Sequence, residues 1–120
     1  MLSLYGISEA QQSQYFTKNE DYHFGLADNL YQTKIYNASQ YEYSKQYFYN
    51  KNLSNSRKEA SAFFSNVIGV ILQQQYAEEG LNAFMKEYPN SAYFTQANGP
   101  LADYYLAKKI LNDRGNLITE

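Results

Sequence analysis

The sequence predicts an all-α domain of stacked antiparallel helical hairpins. Between residues 60 and 72, apolar residues recur at the spacing of one helix face. They are Ala60, Phe63, Phe64, Val67, Ile68, Ile71 and Leu72. The next stretch, Ala77 to Tyr88, has its own apolar face and meets Pro89, which ends a helix because it has no backbone N–H to donate. The two stretches together therefore predict a helical hairpin.

Three capping boxes indicate where helices begin, because a Ser, Thr or Asn stands three residues before a Glu or Gln. They are Thr17 with Glu20, Asn37 with Gln40, and Ser56 with Glu59. The predicted helices run from 17 to about 33, from 37 towards 50, and from 56 to about 75. The β-branched residues within 67–71 would also suit a short strand, but helical spacing continues on both sides of them.

The two ends of the chain are predicted to lie outside the helical domain. Residues 1–16 are expected to be a flexible segment, since no helix cap is evident there. Their apolar residues followed by Ser8-Glu9-Ala10 also resemble the end of a secretory signal peptide, although no basic region precedes them. After an interruption at Asn98-Gly99-Pro100, a last helix is expected near Pro100. The helical domain is therefore assigned to 17–111, and 112–120 to a tail.

Composition limits the classes of partner. The chain has 120 residues, enough for one domain with a core. It carries 10 Lys and Arg against 12 Asp and Glu, so no basic field favours nucleic acid. The longest apolar run, at 67–72, is far shorter than the roughly 20 residues of a membrane-spanning helix. The 14 Tyr are the unusual component, and tyrosine suits both half-buried positions and binding surfaces.

Two strings of residues resemble a known family. Phe84 to Phe94 reads FMKEYPNSAYF, and Leu101 to Lys109 reads LADYYLAKK. They are similar to the tetratricopeptide repeats of bacterial cell-envelope proteins, in which a helix ends in Tyr-Pro-x-Ser and the next carries Leu-Ala-x-x-Tyr. Ala77 matches the small residue twelve positions before Pro89, and the resemblance spans about 19–109. In the first unit, the aromatic, small and aromatic positions of the family are matched by Tyr36, Ser39 and Tyr43.

The resemblance implies a tetratricopeptide-like α-solenoid of about two and a half repeats. Such a module would bind or scaffold other proteins, in the periplasm or cell envelope, with the cytoplasm as the alternative location. Three features depart from the family: a period of 37–38 instead of about 34, the interruption before Pro100, and a last unit without a second helix. These departures leave two alternatives: a fragment of a longer repeat array without a function of its own, or a short array capped by its own tail. Self-association or packing against further repeats is a third kind of contact that the chain could make.

The sequence offers no pattern for catalysis, a cofactor or a metal site. His23 is the one histidine, and without Cys or clustered carboxylates it makes a poor ligand set. The acidic pairs Glu20-Asp21 and Glu78-Glu79 stand at predicted helix starts, where negative charge complements the helix dipole. A non-enzymatic function is therefore expected.

An aromatic cluster in the helix from 37 is the candidate binding surface. Its members are Tyr41, Tyr43, Tyr47, Phe48 and Tyr49. Tyr43 and Tyr47 are expected inward by spacing, which leaves Tyr41, Phe48 and Tyr49 as candidate partner-binding residues. Their partner would be a protein or peptide, with a glycan such as peptidoglycan as the alternative. Equally, the N-terminal segment around Tyr15 and Phe16 would cover them if it folded back. The apolar face of 63–71 is expected to be core, with no ligand pocket.

Overall fold

A computed structural model describes residues 8–93 of the chain, and these residues are helical with no strand among them. The helices are α1 (Glu9–Lys18), α2 (Glu20–Gln32), α3 (Tyr36–Tyr49), α4 (Asn55–Ile71) and α5 (Ala77–Glu87). The all-α prediction is confirmed for this part of the chain. The predicted helix near Pro100 and the tail lie outside the described residues. None of the helices α1 to α5 has the length and apolar character that crossing a membrane requires.

The expectation that no helix precedes Thr17 was wrong, because α1 begins at Glu9. The Ser8 hydroxyl accepts a hydrogen bond from the backbone N–H of Gln11 at 3.1 Å. In return the Gln11 side-chain oxygen accepts from the Ser8 N–H at 2.8 Å. This reciprocal pair is a capping box, which satisfies backbone donors that the first helical turn leaves open.

The starts predicted for the next helices were also wrong. Asn19 and Ile35 precede α2 and α3, and neither side chain makes a capping hydrogen bond. Helix α4 is capped by Ser54, two residues before the predicted position. The Ser54 hydroxyl accepts a hydrogen bond from the backbone N–H of Arg57 at 3.3 Å. The stop of α5 before Pro89 is confirmed.

Successive helices from α2 to α5 pack in antiparallel pairs. Residues Ser39 and Tyr36, at the start of α3, meet the last half of α2, where the Ser39 hydroxyl donates to the backbone oxygen of Ala27 at 2.8 Å. Along α4, Phe63 contacts Phe84 near the end of α5, with ring centroids 5.4 Å apart. The end of α4 in turn reaches the start of α5. Helix α1 lies across α2 and α3.

Helix α4 belongs to both hydrophobic clusters of the core. The first lies between α4 and α5 and contains Phe63, Val67, Val70, Leu81 and Phe84. The second joins α2, α3 and α4 and contains Phe24, Ala27, Tyr43, Leu53 and Ile68. Phe64 and Ile71 are partly buried against these clusters. The prediction that the apolar face of 63–71 is core is therefore confirmed.

A buried asparagine at the end of α3 joins three helices. The Asn50 side-chain oxygen accepts from the Thr17 hydroxyl of α1 at 2.7 Å. Its amide nitrogen donates to Glu20 of α2 at 2.9 Å and to Gln46 of α3 at 2.8 Å. Because Asn50 is 3% exposed and Gln46 is fully buried, water does not readily replace the hydrogen bond between them.

We therefore expect Asn50→Ala to lower the free energy of unfolding by about 2–4 kcal/mol, since it removes three side-chain hydrogen bonds and leaves the buried Gln46 side-chain oxygen without this partner. Urea denaturation of the full chain measures this change. Asn52→Ala is the matched control, because Asn52 is exposed and contributes only its backbone N–H to Asn50. Equal stability of the two variants would contradict the role assigned to Asn50.

A buried phenol makes stability depend on alkaline pH. The Tyr43 hydroxyl donates to the Asp28 carboxylate. Burial, and then the neighbouring Asp28, raise the pKa of Tyr43 above its ordinary value. Since that value is about 10 in an unfolded chain, the folded state holds the proton where the unfolded state releases it.

The contribution of Tyr43 to stability is therefore complete below pH about 10 and is lost progressively above it, by up to about 1.4 kcal/mol per pH unit. Tyr43→Phe should cost about 1 kcal/mol at pH 7 through the lost hydrogen bond, yet decline less steeply above pH 10. Urea denaturation between pH 8 and 11 measures both slopes. Parallel slopes for the two proteins would contradict this assignment.

Candidate partner-binding groove

The three candidate residues do not share one surface of α3. Phe48 is 66% exposed and lines a groove beside α5. Tyr41 and Tyr49 instead flank the Lys45 ammonium, whose nitrogen lies 5.0 Å and 4.9 Å from their ring centroids. These distances are typical of cation–π contacts. A ligand that stacked on the ring faces of Tyr41 and Tyr49 that Lys45 covers would have to displace Lys45.

Helix α1 covers part of the aromatic cluster. The Phe16 ring stacks on Tyr49, with centroids 5.8 Å apart and an interplanar angle of 17°. The expected folding back of the N-terminal segment therefore applies to Tyr49, while Tyr41 and Phe48 stay exposed.

Tyr47 was predicted inward, and this was wrong, because its side chain is 43% exposed on the groove side. The buried stripe of α3 continues from Tyr43 through Gln46 to Asn50. Spacing alone allows either continuation, since positions three and four residues on lie on the same side of a helix. The hydrogen bonds that Gln46 and Asn50 make in the interior favour the continuation through Gln46 over the one through Tyr47.

The groove runs between α3 and α5, with α4 as its floor, and has a volume of about 460 Å³. This lies within the range of roughly 300–1,000 Å³ that is common for ligand sites. The groove is open because several of the residues that line it have small side chains or none. These residues are Ala62, Gly69, Ala77, Gly80 and Ala83. A Cβ on Gly80 would lie 2.3 Å from the side-chain oxygen of Asn66, so a larger residue there would displace the Asn66 side chain.

Two glutamines bridge the groove at one end. Each side-chain amide of Gln40 and Gln74 donates to the other at 2.8 Å. Gln40 also donates to the backbone oxygen of Ser65 on α4 at 3.0 Å. The loop that follows α4 is thereby attached to α3, and polar groups are presented next to the apolar part of the groove.

The Tyr76 ring stands at the mouth of the groove, 72% exposed, on a left-handed backbone with φ of 65°. Between residues 8 and 93, two other non-glycine residues have positive φ, Lys34 and Gln73. Both follow helix ends, where a left-handed residue closes the backbone hydrogen bonds of the last turn. Tyr76 instead precedes α5 and makes no side-chain cap, so helix termination does not explain its conformation.

The charges around the groove are acidic. Among the described residues that line it, Glu87 is charged and no Lys or Arg is present. Past Tyr76 the groove adjoins a notch lined by Glu78 and Glu79, again without a cation among the described residues. Sequence reasoning missed Tyr76 and Glu87. For Glu87 a signal existed, since a carboxylate at the end of a helix opposes the dipole.

His23 has a structural environment away from the groove. Its Nδ1 lies 2.8 Å from the Glu42 carboxylate, and its ring packs on Phe16 with centroids 4.9 Å apart. The other ring nitrogen is buried and has no hydrogen-bond partner among the described residues. Between residues 8 and 93, no group of three or more His, Cys, Asp or Glu forms a possible metal site.

A second groove of about 440 Å³ lies between α2 and α4. One of its walls is Tyr93, the last residue that the structure describes. The groove beside Phe48 is bounded by residues 40–87 and is therefore the better defined candidate.

None of the protein-family models, curated proteins and solved structures compared with this chain matches it. Its function is therefore inferred from the geometry of the groove, together with the resemblance to tetratricopeptide repeats.

Proposed function

We propose that this chain is a non-catalytic helical-repeat module that docks a peptide segment of another protein in the groove between α3 and α5. The observation that carries the proposal is a set of three exposed aromatic rings along this groove. They belong to Tyr47, Phe48 and Tyr76. Exposed aromatic rings beside a concave, mostly apolar floor are typical of sites where a partner supplies the missing contacts.

Side-chain contacts between α2 and α4 support a stack of two hairpins. Tyr31 of α2 contacts Phe64 of α4 at 4.9 Å, and Phe24 of α2 contacts Arg57 at the start of α4 at 4.8 Å. The start of α4 follows that of α2 by 35 residues (55 minus 20), and the start of α5 follows that of α3 by 41 (77 minus 36), so both offsets exceed the tetratricopeptide period of about 34. On this proposal α2 with α3 and α4 with α5 are successive hairpins.

A peptide accounts for the groove better than a glycan does. The glycan alternative relied on Tyr41 and Tyr49, whose rings already flank Lys45. The groove combines apolar floor, aromatic walls and side-chain amides, which suit the mixed side chains and backbone of a peptide. By the family resemblance, we place this module in the bacterial cell envelope, where it scaffolds a larger assembly.

We expect random dodecapeptides displayed on phage to be enriched by the immobilised full chain, and the enriched peptides to bind through Phe48. Phe48→Ser should weaken their binding by about tenfold or more, because it removes a central aromatic contact. Fluorescence anisotropy with labelled peptides measures the affinities.

Tyr22→Ser is the matched control, since Tyr22 is 67% exposed on α2 and does not line this groove. Its peptide affinities should stay within about twofold of the unmodified chain. Enrichment of no peptide, or equal losses in both variants, would contradict the proposed function.

A further inference from the structure

We propose that the occupant of the groove is an extended, cationic peptide segment, with basic side chains at both ends of a short apolar stretch. This inference rests on the proposed function and adds the chemical class of the partner. It comes from the charges, the spacing of the acidic residues along α5, and the amides that line the groove.

Glu87 has no ion-pair partner among the described residues that would explain its charge. It is the last residue of α5, where the helix dipole disfavours a negative charge. The Tyr88 hydroxyl is its hydrogen-bonding neighbour, and no Lys or Arg among the described residues forms an ion pair with it. A carboxylate kept at a locally unfavourable place on the rim of a groove indicates a cationic partner.

The opposite end of α5 supplies the second negative region. Glu78 and Glu79 stand in its first turn, where the dipole favours them, and they line the notch beyond Tyr76. From Glu78 to Glu87 the helix rises by about 14 Å, at 1.5 Å per residue. An extended peptide covers this distance in about four residues. Two basic side chains about four positions apart would therefore reach both acidic ends, with apolar residues between them against Phe48.

The glutamine pair favours an extended backbone over a helical one. Each side-chain amide oxygen of Gln40 and Gln74 accepts one hydrogen bond from the other residue, which leaves a second lone pair for a ligand N–H. An extended segment exposes backbone N–H groups, whereas a helix uses them internally. The amides thus complement a strand-like ligand.

The test is the composition and salt dependence of the dodecapeptides that the full chain selects. We expect those whose binding depends on Phe48 to be enriched in Lys and Arg, in pairs about four positions apart around an apolar residue. Glu87→Gln should weaken their binding by about threefold to tenfold at low ionic strength, and by less at high salt, where the charges are screened.

Glu9→Gln is the control, because Glu9 is an exposed acidic residue of α1 that pairs with Lys51, away from the groove. Its peptide affinities should not change. The thermal midpoint of Glu87→Gln should equal or exceed that of the unmodified chain, since the substitution removes an unfavourable charge at a helix end.

The possible results separate this inference from the proposed function. Peptides that depend on Phe48 but are neutral or acidic, or that bind Glu87→Gln unchanged, would overturn the cationic partner and leave the docking function standing. Absence of any peptide that depends on Phe48 would overturn both.

Discussion

The arrangement of the helices depends on the buried polar junction at Asn50. The Asn50 side chain accepts a hydrogen bond from α1 and donates one each to α2 and α3. Aromatic contacts tolerate sliding, because a ring packs acceptably at several offsets. Buried amides do not, since a small shift leaves a donor or acceptor unpaired at a cost larger than the bond itself contributes. The junction therefore sets the rotation of α3, and this rotation turns Tyr47 and Phe48 towards α5.

The groove is a consequence of two different ways of packing against α4. On one side, large rings such as Tyr43 and Phe64 stack at 5.0 Å and fill the space between α3 and α4. On the other side, glycine and alanine bring α5 close to α4. Because the two flanking helices do not meet over the small residues of α4, an open channel remains, and the Gln40–Gln74 bridge holds one end of it.

The sequence predicts what local spacing determines, and it misses what distant contacts decide. The apolar face of α4 and the stop before Pro89 follow from periodicity and from the chemistry of proline, and both are correct. Thr17 has the pattern of a cap, but its hydroxyl donates to Asn50, 33 positions away. The Ser8 box carried the same local signal and was overlooked. Tyr47 and Phe48 line one groove with Tyr76 only because α3, α4 and α5 pack in this register, which no spacing within one helix reveals.

Two departures from local preference coincide at this groove. Tyr76 has a left-handed backbone where helix termination gives no reason for it, and Glu87 is a carboxylate at the negative end of a helix. Each costs stability, and neither improves the core, because both side chains are exposed. Elsewhere in residues 8–93, positive φ angles terminate helices. The acidic residues there stand in first turns, pair with Lys51, Arg57 or His23, or accept a hydrogen bond from Tyr43 or Ser91. Local costs of this kind at the two ends of one groove are expected where a bound ligand supplies favourable contacts.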